Sequence, residues 1–524
     1  RPRGGASVAG LDRLFLMTDW IKRLPFFVIL MGIGALAMLV PAIHALALND
    51  YDTMRVFFYG FILFSLLSLI LGFATANYAP VSVARSQLIA LLAAFTALPV
   101  MFAIPFYEAI GNTSFLNAWF EMVSSLTTTG ATVYDNAGRL SPSLHLWRGL
   151  VGWLGGLLIW ITAVSIFAPM NLGGFEVRAT GGAGKSTGAA TFTQISQVAD
   201  PSERLTRFAA KLAPLYAGLT FVLWLGLTSL GEVPYVALIH AMSVMSTSGI
   251  SPIGGLHGAG AGFWGEVMIV LFFVLAISRL SFSAGQLGEK DKGLWRDPEF
   301  KIGISLILLV TAALFLRHFF GAIDGQSNTS APEMFRAIWG AAFTVASFLT
   351  TTGFESRYWL GAADWSGLQT PGLALIGLAL IGGGVATTAG GVKLLRVYAL
   401  YRHSERELQR LVHPSSVGGG GREARRIRQK GAYISWVFFM LFALSIAGIM
   451  LLLSLTGVQF ETAMVLAISA LSTTGPLADV AAENPISYAG IPDAAKVILA
   501  GAMVLGRLET LAIIALFNPE IWRN

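Results

Sequence analysis

The 524-residue sequence contains no cysteine, and Asp, Glu, Lys and Arg together make up only 12% of it. Without cysteine there is no disulfide and no thiolate metal site. Soluble domains carry about 25% charged residues, so the shortage of charge excludes an ordinary soluble protein. Histidine is scarce as well, at seven. None of the seven has metal-ligand spacing, and His145, His240 and His318 read as helix-end or packing residues. No nucleophile–base arrangement or paired-carboxylate site stands out, so the chain is not read as an enzyme. A cleavable leader is not expected. Residues 1–18 are basic and mixed, and the first apolar run, after Lys22 and Arg23, is long enough to remain as a span. The net charge of +6 raises nucleic acid as a partner, but the basic residues gather between apolar runs, which suits a membrane protein and argues against nucleic acid.

What the chain has in quantity is apolar: 55% hydrophobic residues and a mean hydropathy of +0.68. A transmembrane helix needs roughly 20 apolar residues. Residues 24–46 and 56–76 qualify and form a first hairpin. After it one pattern recurs four times: an apolar helix, a shorter half-hydrophobic segment, a Thr/Ser-Gly motif and a second apolar helix. The copies use residues 87–107, 116–126 and 146–169; 208–230, 235–245 and 264–286; 302–320, 333–349 and 371–401; and 434–456, 460–471 and 494–517. The pattern predicts an all-α integral membrane protein of about ten full spans and four short ones. Its units are a two-helix hairpin (1–80), repeats over 81–200 and 201–298, a third with a cytoplasmic linker (299–430) and a fourth (431–524).

If the short segments re-enter rather than cross, the basic connections over 168–211, 286–301 and 393–430 all share the side of the N-terminus. The positive-inside rule then puts both termini in the cytoplasm. Gly418–Gly421 and the basic run to Lys430 read as a flexible cytoplasmic linker. Residues 179–186 fit a loose phosphate-loop pattern, but a membrane helix precedes them where the mechanism needs a strand.

The repeated motifs are Ser124–Val133, Met245–Ser251, Leu349–Glu355 and Leu471–Leu477. They recur at intervals of roughly 100 to 120 residues, the mark of an internal repeat. Irregular backbone at membrane depth is tolerated only where protein buries it or where it lines a watery cavity. A ring of backbone carbonyls can replace the hydration shell of K⁺. The expected K⁺-lining residues are Thr128, Thr129 and Gly130; Thr247, Ser248 and Gly249; Thr351, Thr352 and Gly353; and Thr473, Thr474 and Gly475. The glycines permit the backbone twist that turns a carbonyl inward.

A second feature interrupts the last helix of the third copy: Gly382, Gly383, Gly384, Thr387, Thr388, Gly390, Gly391 and Lys393 lie within twelve residues. Glycine costs about 1 kcal/mol in a helix interior. The stretch is either a site of close helix packing or a broken helix whose loop plugs a path below the motifs. Arg507 and Glu509 lie inside an apolar run, where a charge is a functional hypothesis by default. Arg507 either faces the path, as an electrostatic barrier or a holder of the glycine-rich loop, or pairs with an acid such as Glu509. Arg279 is also mid-helix and has no assigned role. Glu121 is expected to anchor its short helix through an arginine of a neighbouring copy.

At these residues the chain resembles the Trk/Ktr/HKT superfamily of potassium transporters, closest to the Trk-type membrane subunit. The resemblance spans nearly the whole chain. Phe120-Glu121-Met122 and Leu126–Val133 are close to the first filter of that family, and Arg336 with Ser347–Phe354 is similar to the third. The second and fourth keep the glycine but differ around it. The resemblance implies K⁺ as the transported ion, a preference for K⁺ that a serine at the first glycine would shift towards Na⁺, and no covalently bound cofactor. It implies that the glycine-rich stretch is an intramembrane gate, with Thr387-Thr388 where relatives carry Ser-Thr, and that Arg507 is the pore-facing basic residue below the filter. It also implies a homodimer in the bacterial inner membrane, docked on a cytoplasmic ring of regulatory subunits that sense ATP/ADP or NAD(H). The alternatives are an ion-coupled secondary transporter of a small solute, which the broken helix suits but four matched segments do not, and a membrane-embedded enzyme or structural subunit that carries no flux.

Overall fold

A computed structural model describes residues 24–75, 83–170, 172–177, 201–278, 294–321, 330–368, 370–413, 429–482 and 484–509. The basic N-terminal stretch, the loose phosphate-loop pattern, Arg279, the Gly418–Gly421 linker and much of the basic connections lie outside them. Among the described residues every regular element is helical.

The first hairpin is α1 (Phe26–Ala37), α2 (Leu39–Ala47) and α3 (Tyr51–Thr75). The break at Met38 follows from Pro41, which has no N–H to offer the Ala37 carbonyl. Next come α4 (Val83–Ile110), the short α5 (Phe115–Leu126) and α6 (Pro142–Thr162), whose last turn widens into a π-helix at Ala163–Phe167. The second set is α7 (Pro201–Ser229), the short α8 (Pro234–Ser246) and α9 (Gly262–Ile277). The third is α10 (Pro298–Gly321), α11 (Ala331–Leu349), α12 (Trp359–Ser366), α13 (Gly372–Ile381) and α14 (Leu394–Val412). The fourth is α15 (Gln429–Leu455), the short α16 (Phe460–Leu471), α17 (Leu477–Val480) and α18 (Asp493–Leu508). Starts are set locally: Pro142 and Pro234 stand in the first turns of α6 and α8, where a missing N–H costs nothing. Ser114 caps α5, and Ser330 with Glu333 forms a capping box on α11.

Seven helices are long and apolar enough to cross a membrane, among the described residues. The expected count of about ten falls short because the second helices of the last three sets are broken. Those expected over 264–286 and 494–517 stop at Ile277 and Leu508. Ser278 is extended, its hydroxyl donating to Asp297, and Glu509 has a φ of 61°. The helix expected over 371–401 splits at Gly382 into α13 and α14.

The short helices α5, α8 and α16 have 12, 13 and 12 residues. At 1.5 Å per residue they reach about 18–20 Å, less than the roughly 30 Å apolar core of a bilayer. Each short helix packs on the helix before it, and on the second helix of the preceding set: α8 on α6, α11 on α9, α16 on α13 and α5 on α18. The last contact closes the circle, so the chain returns to its own first short helix.

Candidate ion-conduction site

The three short helices and the 19-residue α11 all end the same way. Thr128, Thr247, Thr351 and Thr473 follow them with φ of 56°, 53°, 55° and 54°. Four threonines in the left-handed region, which disfavours L-residues by roughly 1–2 kcal/mol each, show that the surrounding packing imposes one backbone form. Two residues on, Gly130, Gly249 and Gly353 are left-handed again, at 75°, 66° and 81°. Alternating handedness of this kind lets successive backbone groups share one side of the chain.

The loops touch in a ring. A Cβ added at Gly130 would overlap the carbonyl oxygen of Ser248, and one at Gly249 the carbonyl oxygen of Thr352. One at Gly353 would lie 2.9 Å from Cγ of Pro476, and one at Gly475 would overlap the amide of Ala131. The N–H of Gly475 donates to the Thr129 carbonyl at 2.5 Å. All twelve expected motif residues therefore lie together. The hydroxyls of Thr128 and Thr473 are buried with no hydrogen-bond partner among the described residues. An unmet buried hydroxyl costs about 1–3 kcal/mol, and two of them at one register make an oxygen-lined spot suited to a desolvated cation.

Side chains behind the loops hold them. Ser124 Oγ donates to the Ala131 carbonyl at 2.6 Å, and His240 Nε2 lies 2.9 Å from Ser251 Oγ. Glu266 of α9 accepts from Ser356 Oγ at 2.9 Å and the Arg357 N–H at 2.6 Å. Glu121 accepts from the Val133 N–H at 3.1 Å and pairs with Arg148 at 2.5 Å. Its partner thus stands on α6 of its own set, not on a neighbouring copy as expected, because α6 returns beside α5. Both side chains are at most 5% exposed. Glu121→Ala should destabilise the protein by about 3–5 kcal/mol by leaving Arg148 buried and unpaired. Survival of the monodisperse species after heating in detergent checks this.

On one side of the ring lies the segment between α13 and α14, with Gly382, Gly391, Ala386 and Lys393 all at positive φ. Its Gly390 N–H donates to Thr351 Oγ1 at 2.7 Å, and Thr388 Oγ1 donates to the Met245 carbonyl at 3.2 Å. A Cβ at Gly390 would overlap the Ser472 carbonyl oxygen. The loop is therefore seated against the ends of α8, α11 and α16. From the other side, Gly384 N–H donates to the Ala276 carbonyl at 2.9 Å and Val385 N–H to Glu299 Oε1 at 2.8 Å. The Lys393 ammonium reaches the Ala389 carbonyl, and Arg507 Nη1 donates to the Thr388 carbonyl at 2.6 Å. Arg507 thus reaches the backbone of the loop rather than an acidic partner. Glu509 instead pairs with Arg396 at 2.7 Å, and Arg396 also stacks 3.7 Å from the Phe438 ring.

The sequence profile of TrkH, described as a cation transport protein, matches residues 267–523. A Trk system potassium uptake protein TrkH of Salmonella typhimurium is 30% identical over 438 residues, 82% of this chain and 84% of that one. The chain belongs to the TrkH family. A TrkH of Vibrio parahaemolyticus is 29% identical over 508 residues, 95% of this chain and 98% of that one. The crystal structure of the potassium transporter TrkH from the same organism superposes with a TM-score of 0.77 at 25% identity, covering 96% of this chain and all of the other.

In this TrkH-family chain, several residues behind the ring gave no signal in the sequence. His240 read as a packing residue, and Glu266, Ser469 and Tyr488 were not singled out. Glu266 and Tyr488 stand outside the repeated motif, and only the fold brings them to it. Ser124 and Ser469 each lie six residues ahead of their glycines, in the last turns of α5 and α16; their common offset is the one clue that was available.

Proposed function

We propose that this protein takes up K⁺ across the cytoplasmic membrane through the ring, with the segment from Gly382 to Lys393 as its gate. The observation that carries the reading is the closed ring of four loops with the same left-handed threonine, two of whose hydroxyls, at Thr128 and Thr473, have no partner among the described residues. Four loops from one chain make four units around one path, after a hairpin that stands outside the repeat. Uptake needs no chemical fuel at the path. A membrane potential of about 100 mV contributes about 2.3 kcal/mol per charge, enough for roughly fifty-fold accumulation. The relatives named above belong by name to a Trk system for potassium uptake. We extend that to this chain: a dimer in a bacterial inner membrane, both termini cytoplasmic, controlled by a nucleotide-binding cytoplasmic partner.

The test is Rb⁺ uptake into vesicles that hold K⁺ and carry the purified protein. Uptake that external K⁺ blocks and Na⁺ scarcely affects supports the reading. No uptake, even with residues 383–391 deleted, would overturn it and bring the solute-coupled transporter forward.

The outer end of the ring adds a pH dependence. His257 Nε2 lies 3.8 Å from Glu355 Oε2, and that carboxylate holds the imidazole above its ordinary value, against partial burial. Protonated His257 cancels a negative charge beside the Gly353 loop. As pH rises through a step above about 6.5, Glu355 is released to attract cations. Half-saturating Rb⁺ should therefore fall by about two- to threefold across that step, the scale of one screened charge. His257→Gln should flatten the profile; an unchanged profile would remove His257 from the outer mouth.

A further inference from the structure

The fourth loop is built unlike the other three. Gly475 is absent from the left-handed glycines, and the chain turns at Pro476, with φ of −62° and ψ of −8°, straight into α17. The turn uses up carbonyls: Leu477 N–H donates to the Thr474 carbonyl at 3.1 Å and Ala478 N–H to the Gly475 carbonyl at 3.2 Å. Two hydroxyls behind the loop reach the same atoms. Ser469 Oγ lies 2.9 Å from the Thr474 oxygen and 3.3 Å from the Gly475 oxygen, and Tyr488 Oη lies 3.0 Å from the Gly475 oxygen. The hydroxyls are 2.7 Å apart, so one donates to the other and the linked pair presents its remaining proton to these carbonyls. Tyr488 is 4% exposed, its ring 5.9 Å from that of Phe120 on α5. Among the described residues no hydrogen bond reaches the carbonyls of Gly130, Gly249 or Gly353. Pro476 reaches across the ring as well: its Cγ would stand 2.9 Å from a Cβ at Gly249, which belongs to the opposite loop.

A carbonyl that accepts from donors behind it directs its lone pairs there, away from the centre of the ring. We propose that Tyr488, with Ser469, is a specificity-determining positioning residue: the pair holds the fourth loop's carbonyls off the ion path, so that an ion level with the glycines meets three free carbonyls. The proposal rests on the conduction reading above and refines it. Discrimination among alkali cations depends on the number and field strength of coordinating carbonyls. A three-carbonyl level leaves one side to water and so favours the larger, more easily dehydrated ion less strongly than four carbonyls would. The glycine at 475 then serves a different purpose from its three counterparts, namely close approach to the Ala131 backbone.

Tyr488→Phe tests this, because it keeps the ring against Phe120 and removes only the hydroxyl; Ser469→Ala is the second variant. The measurement is competition of K⁺ and of Na⁺ against Rb⁺ uptake in vesicles, read as the ratio of the two half-inhibitory concentrations. Each variant removes one hydroxyl and leaves the Ala478 N–H on the Gly475 carbonyl; loosening that carbonyl by one donor should move the ratio towards K⁺ by about three- to tenfold, the scale of one hydrogen bond, in both variants. An unchanged ratio, even with slower total uptake, would mean that the pair only supports the loop, and the proposal fails. A shift towards Na⁺ would overturn it too. If the unaltered protein takes up no Rb⁺, the conduction reading itself has failed, which is a distinct result.

Discussion

Gly130→Ser is expected to lower Rb⁺ uptake at least about tenfold at unchanged protein incorporation into vesicles. Two costs combine. A serine at φ of 75° adopts a region that disfavours L-residues by roughly 1–2 kcal/mol. Its Cβ must also occupy space held by the Ser248 carbonyl oxygen, which is backbone and cannot rotate away. Because each loop of the ring touches the next, a displacement at Gly130 passes to the loops at Gly249 and Gly475. The two costs are separable. Gly111 has a φ of 71° and nothing within 4 Å of an added Cβ, so Gly111→Ser carries the strain alone and should leave uptake within about twofold of the starting protein. Equal losses at Gly111 and Gly130 would mean that strain, and not contact within the ring, decides the outcome.

The contrast between these two glycines also shows what the sequence made legible. The four motifs and the helices that lead into them could be read from residue order, because they are local: an apolar run, then hydroxyls, then glycine; the glycine-rich stretch after Ile381 was visible too, but residue order left it open between close packing and a broken helix. The ends of α5, α8, α11 and α16 fall within about two residues of expectation for the same reason. What could not be read depends on which element comes to lie beside which. Glu121 finds Arg148 because α6 folds back along α5. Arg507 finds Thr388, and Glu509 finds Arg396, only once α18 and α14 come together. The helix end at Leu508 was hidden because apolar residues continue to Phe517, and at Ile277 the polar Ser278 and Arg279 were the only local sign; Ser278 and Glu509 are drawn into polar contacts with Asp297 and Arg396. The fourth motif read as equivalent to the others, since Gly475 matches them in sequence. Its difference lies in Pro476 and in Tyr488, thirteen residues further on.

Arg507→Ala is expected to raise uptake in the absence of any cytoplasmic partner by about ten- to a hundredfold. The guanidinium gives the Thr388 carbonyl a charged hydrogen bond of 2.6 Å, and such bonds contribute about 1.5–3 kcal/mol. If that energy favours the seated position of the loop alone, its loss shifts the balance between seated and displaced loop by the same amount, which gives the factor stated. The Glu509–Arg396 pair makes a control. Neither group donates to the Thr388 or Ala389 carbonyl, so Glu509→Gln should weaken α14 against α18 and lower heat resistance without an increase of that size. Arg507→Lys should fall between the unaltered protein and the alanine variant, since an ammonium keeps the charge but not the planar reach of the guanidinium. If Arg507→Ala leaves uptake at its starting level in folded protein, the loop is held by its contacts with Thr351, Met245 and Ala276, and the arginine is not its latch. If uptake falls instead, with the protein intact, Arg507 supports the open path, and the gate must be sought in the contacts of Lys393 with Ala389 and of Glu299 with Val385.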